Sequence, residues 1–342
     1  MTLIDSIYIH NSGGRVLLEI LLKKILHTDL KSFFFLFDSR IDKSLISKVP
    51  SENFKVLRAG EYNRTVFYKK NQNVFSHFFC FANVPPPIKI NKSVTIYFHN
   101  DLILNSKNSG IGLVPRLKFY FKKKYIHLIS QNNYNWAVQT SLMMEKVKNE
   151  FKISSKRISV LPFFYDLTFS SEKTMIKNTF LYVANYSRHK NHKILIRAFQ
   201  EAALKTDKKI ILKLTLETEN FNFLMKETNY SISNFELVNL GVLNKGSLIK
   251  SYQEANFFIY PSLKESFGLP LIEASSFSGY ILASDLDYVH EVISPSLTFN
   301  PRKKSEITAL ILNVLNLKNL KQSKLKLTNK IDVLIAHISN YV

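Results

Sequence analysis

Glu265 and Glu273, eight positions apart, frame a turn with the features of a ligand site. A strand-like segment, 255–260, leads into it, and Pro270 stands where the fixed φ of proline favours the first turn of a helix. Gly268 lets a ligand approach the backbone closely. Helix starts attract phosphate, and open α/β sheets bind ligands at the carboxyl ends of their strands. Because carboxylates accept hydrogen bonds from hydroxyl groups, the turn predicts a site for a phosphorylated, hydroxyl-rich ligand. The alternative is a helix-start glutamate beside a solvated one.

A basic turn, R-H-K-N-H-K at 188–193, lies between a predicted strand at 179–184 and a predicted helix. Cations beside a helix start repel the positive end of its dipole, so this turn requires an anion. A diphosphate would supply it. A solvated basic helix start is the other interpretation.

Two weaker signals lie in the first half of the chain. Gly13 and Gly14 follow the first predicted strand, and backbone N–H groups in such a loop can bind phosphate, although glycine pairs also form plain tight turns. His99 ends a predicted strand in the run Y-F-H-N-D. Each of its ring nitrogens can donate or accept a hydrogen bond, and a structural role at the strand end is the alternative.

Composition limits the class of protein. At roughly 100–200 residues per domain, 342 residues predict two domains, and 46% hydrophobic with 21% charged residues is ordinary for a globular chain. The single cysteine, Cys80, excludes an intrachain disulfide and fits a reducing compartment. The first residues show no basic n-region and no long apolar h-region, so we expect no secretory signal, and no apolar run reaches about 18 residues. We therefore expect a cytoplasmic protein, with peripheral attachment to the inner face of the cell membrane left open.

The formal net charge is +21, and residues 1–170 carry 25 Lys and Arg against 11 Asp and Glu. This excess favours anionic partners, namely lipid headgroups, phosphates or nucleic acid. A general bias of the composition is the other explanation. In the run F-Y-F-K-K-K-Y-I at 119–126, aromatic residues flank three lysines, which suits an anionic membrane surface; the alternative is the solvated end of a helix.

Short apolar runs alternate with amphipathic stretches, which predicts βα units and a parallel sheet in each half. In the first half we predict strands at 6–10, 32–38, 54–57, 77–81, 94–99, 125–130 and 158–162, with helices at 16–26 and 134–150. In the second half we predict strands at 179–184, 209–216, 235–240, 255–260 and 280–284, with helices at 190–204, 245–253 and 270–277. The irregular segment 163–178 is the predicted linker.

Residues 261–274 resemble the E-x7-E region of the family 4 glycosyltransferases and match every fixed position of its pattern, P-S-x-x-E-x-F-G-L-P-x-x-E-A. The resemblance implies a GT-B fold of two Rossmann-like domains facing a central cleft, and a retaining reaction. It also implies that Glu265 contacts the sugar of a nucleotide-sugar donor and that Glu273 contacts its ribose. The donor-binding residues between them are Ser266, Phe267, Gly268 and Leu269.

The basic turn extends this resemblance. Lys190 matches the family lysine that neutralises the leaving diphosphate. Where the family often has arginine this chain has Asn185, and Arg188 could take that role at a different spacing. The H-K-N-H run at 189–192 resembles a subgroup that makes bacterial surface polysaccharides such as O-antigen and capsule.

The resemblance is weaker in the first domain. It implies phosphate or acceptor contacts for Gly13 and Gly14, and a donor-sugar contact for His99. Lys190, Glu265 and His99 are the predicted catalytic residues.

These observations predict a retaining hexosyltransferase with an acceptor domain at 1–165 and a nucleotide-sugar donor domain at 166–342, whose last helix could pack back on the first domain. The predicted partners are a nucleotide sugar, a lipid-linked glycan acceptor and, as an open alternative, an anionic membrane surface. We predict no metal and no cofactor, because the resemblance gives lysine and helix dipoles the role of a metal. Neither glutamate is assigned to the core, so substituting either is expected to leave the fold intact.

Two other functions compete with this one. A basic nucleic-acid-binding protein would explain the charge, but no recognisable nucleic-acid-binding module is present. An inactive GT-B partner protein would explain the fold, but Glu265, Glu273 and Lys190 are all intact.

Overall fold

The computed structural model describes residues 1–28, 30–105, 112–165, 175–228, 232–277, 279–317 and 319–339. They form two units. The first comprises 1–105, 113–165 and 328–339, and the second comprises 175–327. Most of the predicted linker, 166–174, lies outside the described residues.

Short apolar strands form the sheet of the first unit. They are β1 Thr2–Asp5, β2 Phe33–Asp38, β3 Phe54–Leu57, β4 His77–Cys80, β5 Ser93–Phe98, β6 Asn135–Val138 and β7 Ile158–Val160. All neighbouring strands are parallel, in the order β3-β2-β1-β4-β5-β6-β7. The strand order reverses beside β1, and ligands of open α/β sheets bind at such a switch point.

Helices connect these strands and cover the sheet. They are α1 Ser12–Leu26, α2 Lys43–Ile46, α3 Glu61–Asn71, α4 Asp101–Leu104, α5 Leu113–Ile129 and α6 Ser141–Phe151. Helix α1 buries an apolar face that includes Leu18, Leu21 and Ile25, which is the pattern of a helix packed on a core. In α5, by contrast, Ile126 is the buried residue.

The second unit repeats this architecture. Its strands are β8 Ile176–Tyr182, β9 Ile210–Leu214, β10 Phe235–Asn239, β11 Ala255–Tyr260, β12 Ile281–Ser284, β13 Ile293–Ser294, β14 Leu297–Phe299 and β15 Lys324–Leu325. A parallel sheet has the order β10-β9-β8-β11-β12-β14, and β13 pairs antiparallel with β15. Its helices are α7 His192–Ala203, α8 Thr218–Thr228, α9 Lys245–Glu254, α10 Leu269–Phe277, α11 Asp287–Val292 and α12 Lys304–Val314. Counted from its first strand, each sheet contains the Rossmann order 3-2-1-4-5-6, so the predicted α/β class with two Rossmann-like domains is confirmed.

The last helix, α13 Ile331–Ser339, belongs to the first unit. The hydroxyl of Thr2, in β1, donates to the backbone oxygen of Ile338 at 2.7 Å. Lys24 of α1 forms an ion pair with Asp332 at 2.5 Å. The chain therefore completes the first unit only after it has built the second.

Three element predictions in the first half are wrong. The first strand is Thr2–Asp5 rather than 6–10, because a turn that includes Tyr8 at φ +83° follows it. The predicted strand at 125–130 lies mostly in α5, where an apolar run at the end of a helix imitates a buried strand. The predicted helix at 134–150 contains β6 before α6, and Thr140 caps α6 by accepting from the N–H of Met143.

Candidate active site

The loop between β11 and α10 holds Glu265 against Lys190. Lys190 lies in a 3-10 turn, Arg188–Lys190, between β8 and α7, and its Nζ is 2.5 Å from Oε1 of Glu265. The two side chains are only 16% and 13% exposed. Because β8 and β11 are neighbouring parallel strands, both loops start at the same edge of the sheet. Two residues predicted from separate motifs therefore meet where such sheets bind ligands.

The ion pair fixes the charge of Glu265. Burial alone would raise the pKa of Glu265. The ammonium of Lys190, together with His189 and the hydroxyl of Ser262, outweighs burial and holds that pKa below its usual value. The hydroxyl of Tyr182 donates to the backbone oxygen of Lys190, and the N–H of Leu263 donates to that of His189, both at 2.7 Å. The basic turn is thus tied to the loop that carries Glu265.

The backbone at the start of α10 requires glycine. Gly268 has φ +78°, and a Cβ there would lie 3.2 Å from Cδ1 of Leu271, so any other residue is strained. The helix begins at Leu269, directly after it. Phe267 is 4% exposed and packs in the core, whereas Ser266 and Leu269 are half-buried. This stretch therefore offers a ligand chiefly its backbone.

Asn191 is a structural residue of the basic turn that the sequence did not single out. It is 6% exposed and has φ +63°, a left-handed conformation that asparagine tolerates. Its Nδ2 donates to the backbone oxygens of Pro261 at 3.3 Å and Pro301 at 2.7 Å. The preference of asparagine for such turns was the available signal.

The two histidines of the turn differ in environment. His192, the first residue of α7, is 2% exposed and packs 4.8 Å from the Tyr182 ring, and burial lowers its pKa to about 3. His189 is half-buried, and its Nδ1 lies 2.6 Å from the hydroxyl of Ser187. His192 is therefore an uncharged packing residue.

The remaining predicted residues of this turn, Asn185 and Arg188, are exposed. Lys190 and Glu265 bind each other rather than these two side chains.

Glu273 lies on the first turns of α10 and is held by a neighbouring helix. The hydroxyl of Tyr252, in α9, donates to Oε2 of Glu273 at 2.9 Å. Burial raises the pKa of Glu273 to about 7, although the hydrogen bond from Tyr252 opposes this. The carboxylate therefore changes charge near neutral pH.

In the first unit the structure brings Gly14 and His99 together. Gly13 and Gly14 lie in the first turn of α1 rather than in a loop, and a Cβ on Gly14 would lie 3.4 Å from Cε1 of His99. The ring of His99 stacks on Phe81 at 5.3 Å, and its Nε2 lies 3.0 Å from the backbone oxygen of that residue. Burial lowers the pKa of His99 to about 4. His99 is therefore uncharged at neutral pH.

A buried polar network at the end of β1 was missed from the sequence. Arg64 forms an ion pair with Asp5 at 2.8 Å, and both side chains are 1% exposed. The guanidinium also donates to both oxygens of Glu61 at 2.9 Å. The hydroxyls of Tyr8 and Tyr125 donate to Glu61 at 2.6 and 2.7 Å. The members come from three separate stretches of the chain, at 5–8, 61–64 and 125. Because no motif links these stretches, spacing gave no signal.

The three lysines of α5, which the sequence predicted to face an anionic membrane, lie in different environments. The ammonium of Lys122 lies 5.4 Å from the centroid of the Tyr8 ring, and burial lowers its pKa to about 8. Lys123 pairs with Glu150 at 3.0 Å, while Lys124 is exposed. Consecutive helical residues point about 100° apart, which separates the three.

Helix α5 instead exposes large apolar side chains, here called the α5 stripe. Its members are Leu113, Val114, Leu117, Tyr120, Phe121 and Leu128. None of the helices in the described part of the chain is long and apolar enough to cross a membrane. The described residues also contain no group of three or more His, Cys, Asp or Glu that could hold a metal ion.

Residues 166–330, which include Lys190, Glu265 and Glu273, match the family described as glycosyl transferases group 1. This part of the chain is therefore similar to the glycosyltransferases of that group.

The sequence is also similar to curated bacterial glycosyltransferases. It is 26% identical over 228 residues to the serotype-specific mannosyltransferase WbdA of Escherichia coli, covering 62% of this chain and 28% of WbdA. It is 24% identical over 181 residues to the O-antigen chain mannosyltransferase RfbU of Salmonella typhimurium, covering 50% of this chain and 48% of RfbU. The matches thus span about a quarter to half of these relatives.

Solved structures show the same fold. The apo form of the lipopolysaccharide outer core galactosyltransferase WaaB superposes with a TM-score of 0.64 at 14% identity, covering 99% of this chain and 94% of that one. Anabaena HepE in complex with UDP and glucose has a TM-score of 0.67 at 12% identity, covering 92% and 89%. The GT-B fold predicted from the sequence is confirmed.

Proposed function

We propose that this protein is a retaining glycosyltransferase that moves a hexose from a nucleotide sugar to a lipid-linked glycan in surface polysaccharide synthesis. The observation that carries this proposal is the contact between Lys190 and Glu265 at the carboxyl ends of β8 and β11. It lies within the segment that matches the glycosyl transferases group 1 family. The two mannosyltransferase relatives make mannose the first hexose to test.

Each charged residue has a distinct role in this proposal. Lys190 donates to the diphosphate of the donor, and since an ammonium carries three donors it can keep Glu265 as a partner. Glu265 accepts from hydroxyls of the donor sugar. Glu273 accepts from hydroxyls of the nucleotide ribose. The backbone around Gly268, at the start of α10, completes the phosphate site.

The reaction follows from where charge develops. The bond between the anomeric carbon and the diphosphate oxygen breaks, and its electron pair stays on the diphosphate. The acceptor hydroxyl forms the new bond on the same face of the sugar and gives up its proton, for which the departing phosphate oxygen is an acceptor. Lys190 stabilises the charge on the leaving group without further reorganisation. No divalent metal is expected, because this lysine and helix starts supply the positive charge.

The first unit supplies the acceptor side of the reaction in this proposal. Gly13 and Gly14 lie at the start of α1, where backbone N–H groups favour anions. His99, uncharged at neutral pH because it is buried, is suited to a neutral hydrogen bond with the donor sugar. A lipid-linked acceptor also places the protein at a membrane, and the α5 stripe with Lys124 is the surface we assign to it, on the cytoplasmic face.

A panel of nucleotide sugars tests the proposal. Thermal stabilisation and slow hydrolysis are measured for UDP-, GDP-, ADP- and dTDP-linked hexoses, with Lys190→Met as the inactive variant. We expect one base to stabilise the protein and hydrolysis to require Lys190. Stabilisation by nucleic acid, with none by any nucleotide sugar, would favour a nucleic-acid-binding protein. Nucleotide-sugar binding without turnover on any glycan acceptor would favour an inactive partner.

A further inference from the structure

Tyr252 is held rigidly beside Glu273. It is 1% exposed, and its ring stacks on Phe277 at 5.7 Å with an interplanar angle of 12°. The Phe258 ring packs against it at 5.6 Å. Because these contacts fix the ring, the hydroxyl that donates to Oε2 of Glu273 at 2.9 Å has little freedom to point elsewhere.

We propose that Tyr252 is a positioning residue of the nucleotide site, and that its hydroxyl orients the Glu273 carboxylate and favours its charged form for the ribose. This inference rests on the proposed role of Glu273. A charged carboxylate has about four acceptor positions on two oxygens. One of them binds Tyr252, and those left can accept from the two neighbouring ribose hydroxyls. A protonated carboxyl group has a donor in place of an acceptor and fits the ribose less well.

The surroundings of Glu273 make this bond matter at neutral pH. Burial raises the pKa of Glu273 to about 7, while Tyr252 and the charge of Lys245 oppose the increase. The elements packed against α10 are α9, α11, β12, β13 and β15. Of their described titratable groups, Tyr252 and Lys245, both on α9, act on Glu273. The hydrogen bond from Tyr252 counteracts the effect of burial, so losing this hydroxyl should raise the pKa of Glu273 further.

The expected loss of nucleotide affinity follows from the protonation equilibrium of Glu273. With a pKa of about 7, Glu273 gains or loses its charge within the neutral pH range. A hydrogen bond to a charged acceptor is worth about tenfold in an equilibrium constant, so losing it lowers the charged fraction to about a tenth. Nucleotide affinity of the Tyr252→Phe variant at pH 7 should then be about fivefold below that of the wild type. The difference should vanish near pH 9, where Glu273 is charged in both proteins.

The experiment measures the Kd of whichever of UDP, GDP, ADP and dTDP binds, by titration calorimetry from pH 6 to pH 9. Tyr252→Phe keeps the stacked ring and removes the hydroxyl. Tyr134→Phe, which removes a buried hydroxyl from the first unit, is the matched control. We expect Tyr252→Phe to shift the pH profile upward and the control to leave it unchanged. Glu273→Gln should bind weakly at every pH, without a transition near neutrality.

The outcomes separate this inference from the proposed function. A Tyr252→Phe profile parallel to that of the wild type would show a purely structural tyrosine and overturn the inference. Wild-type affinity in Glu273→Gln would instead overturn the ribose role itself. Should Tyr252→Phe fail to fold, Glu273→Asp tests the same bond, because it draws the carboxylate away from the hydroxyl by one methylene. An unshifted profile in that variant would also overturn the inference.

Discussion

Separating the Lys190–Glu265 pair should destabilise the second unit, and removing both charges should restore much of the loss. The side chains are 16% and 13% exposed. Removing one partner of a buried pair costs 3–5 kcal/mol, and this residual exposure lowers the expected cost to ~2–3 kcal/mol. Lys190→Met and Glu265→Gln should each lower the Tm by about 5–10 °C. From the sequence we expected the fold to tolerate the substitution of Glu265. The structure leads us to expect a loss of stability instead, because Lys190 would remain buried and charged without its partner.

The double variant, Lys190→Met with Glu265→Gln, contains no uncompensated charge. It should regain most of the stability of the wild type, giving a coupling energy of about 2 kcal/mol in a double-mutant cycle. Its turnover should nevertheless be about 10²–10³-fold below that of the wild type, since a leaving-group donor is gone. A variant that folds but does not turn over separates the role in catalysis from the role in folding.

The assays are urea unfolding without nucleotide, and steady-state kinetics with the donor identified by the nucleotide-sugar panel. Lys209 and Glu236 form a matched pair on the surface of the same unit, at 2.7 Å with 66% and 47% exposure. The same two substitutions there should couple by about 0–1 kcal/mol. Strictly additive stability losses at Lys190 and Glu265 would refute the ion pair. Normal turnover in a folded Glu265→Gln variant would refute the site.

The other predictions concern metal, membrane and the first unit. Chelation by EDTA should leave turnover unchanged, and a complete loss restored only by magnesium or manganese would contradict the charge role of lysine. Leu117→Gln combined with Phe121→Gln should weaken binding to anionic liposomes in a flotation assay by about tenfold or more, because burying a large apolar side chain is worth ~1.5–3 kcal/mol. Leu204→Gln, at an exposed position of the second unit, is the control. Equal binding of the wild type to neutral vesicles would contradict a role of the lysine charge in membrane binding. Arg64→Met should cost ~3–5 kcal/mol in urea unfolding, since it leaves Asp5 buried and unpaired, and a loss below about 1 kcal/mol would show that the network is not needed for stability.

Local patterns predicted strands β8–β12 and helices α7, α9 and α10 of the second half, because short apolar strands and amphipathic helices alternate there with clear turns. Helices α8, α11 and α12 and strands β13–β15 were not predicted. Local patterns also failed around β1, where polar residues such as Asp5 and Ser6 are buried at the end of the strand. The period of the hydrophobic pattern does not show that a polar residue is buried. The α5 stripe shows the opposite error, since an apolar run was interpreted as a buried strand although Leu128 is 82% exposed.

The two motifs of the candidate site could be predicted from the sequence, but the contact between them could not. Lys190 and Glu265 are 75 residues apart, and this separation does not indicate that they are in contact. Only the resemblance to a glycosyltransferase family implied that both belong to one donor site. Tyr252 had no such support. Its role depends on the packing of α9 against α10, which a single sequence does not reveal.

The hydrogen bond between Thr2 and Ile338 has a consequence for synthesis on the ribosome. The first unit emerges early, yet it lacks α13 until the roughly 160 residues of the second unit have been translated. At 5–20 residues per second this takes about 8–30 s. During that interval the nascent first unit exposes the surface that α13 later covers, so a chaperone able to shield apolar surface has a defined period in which to act.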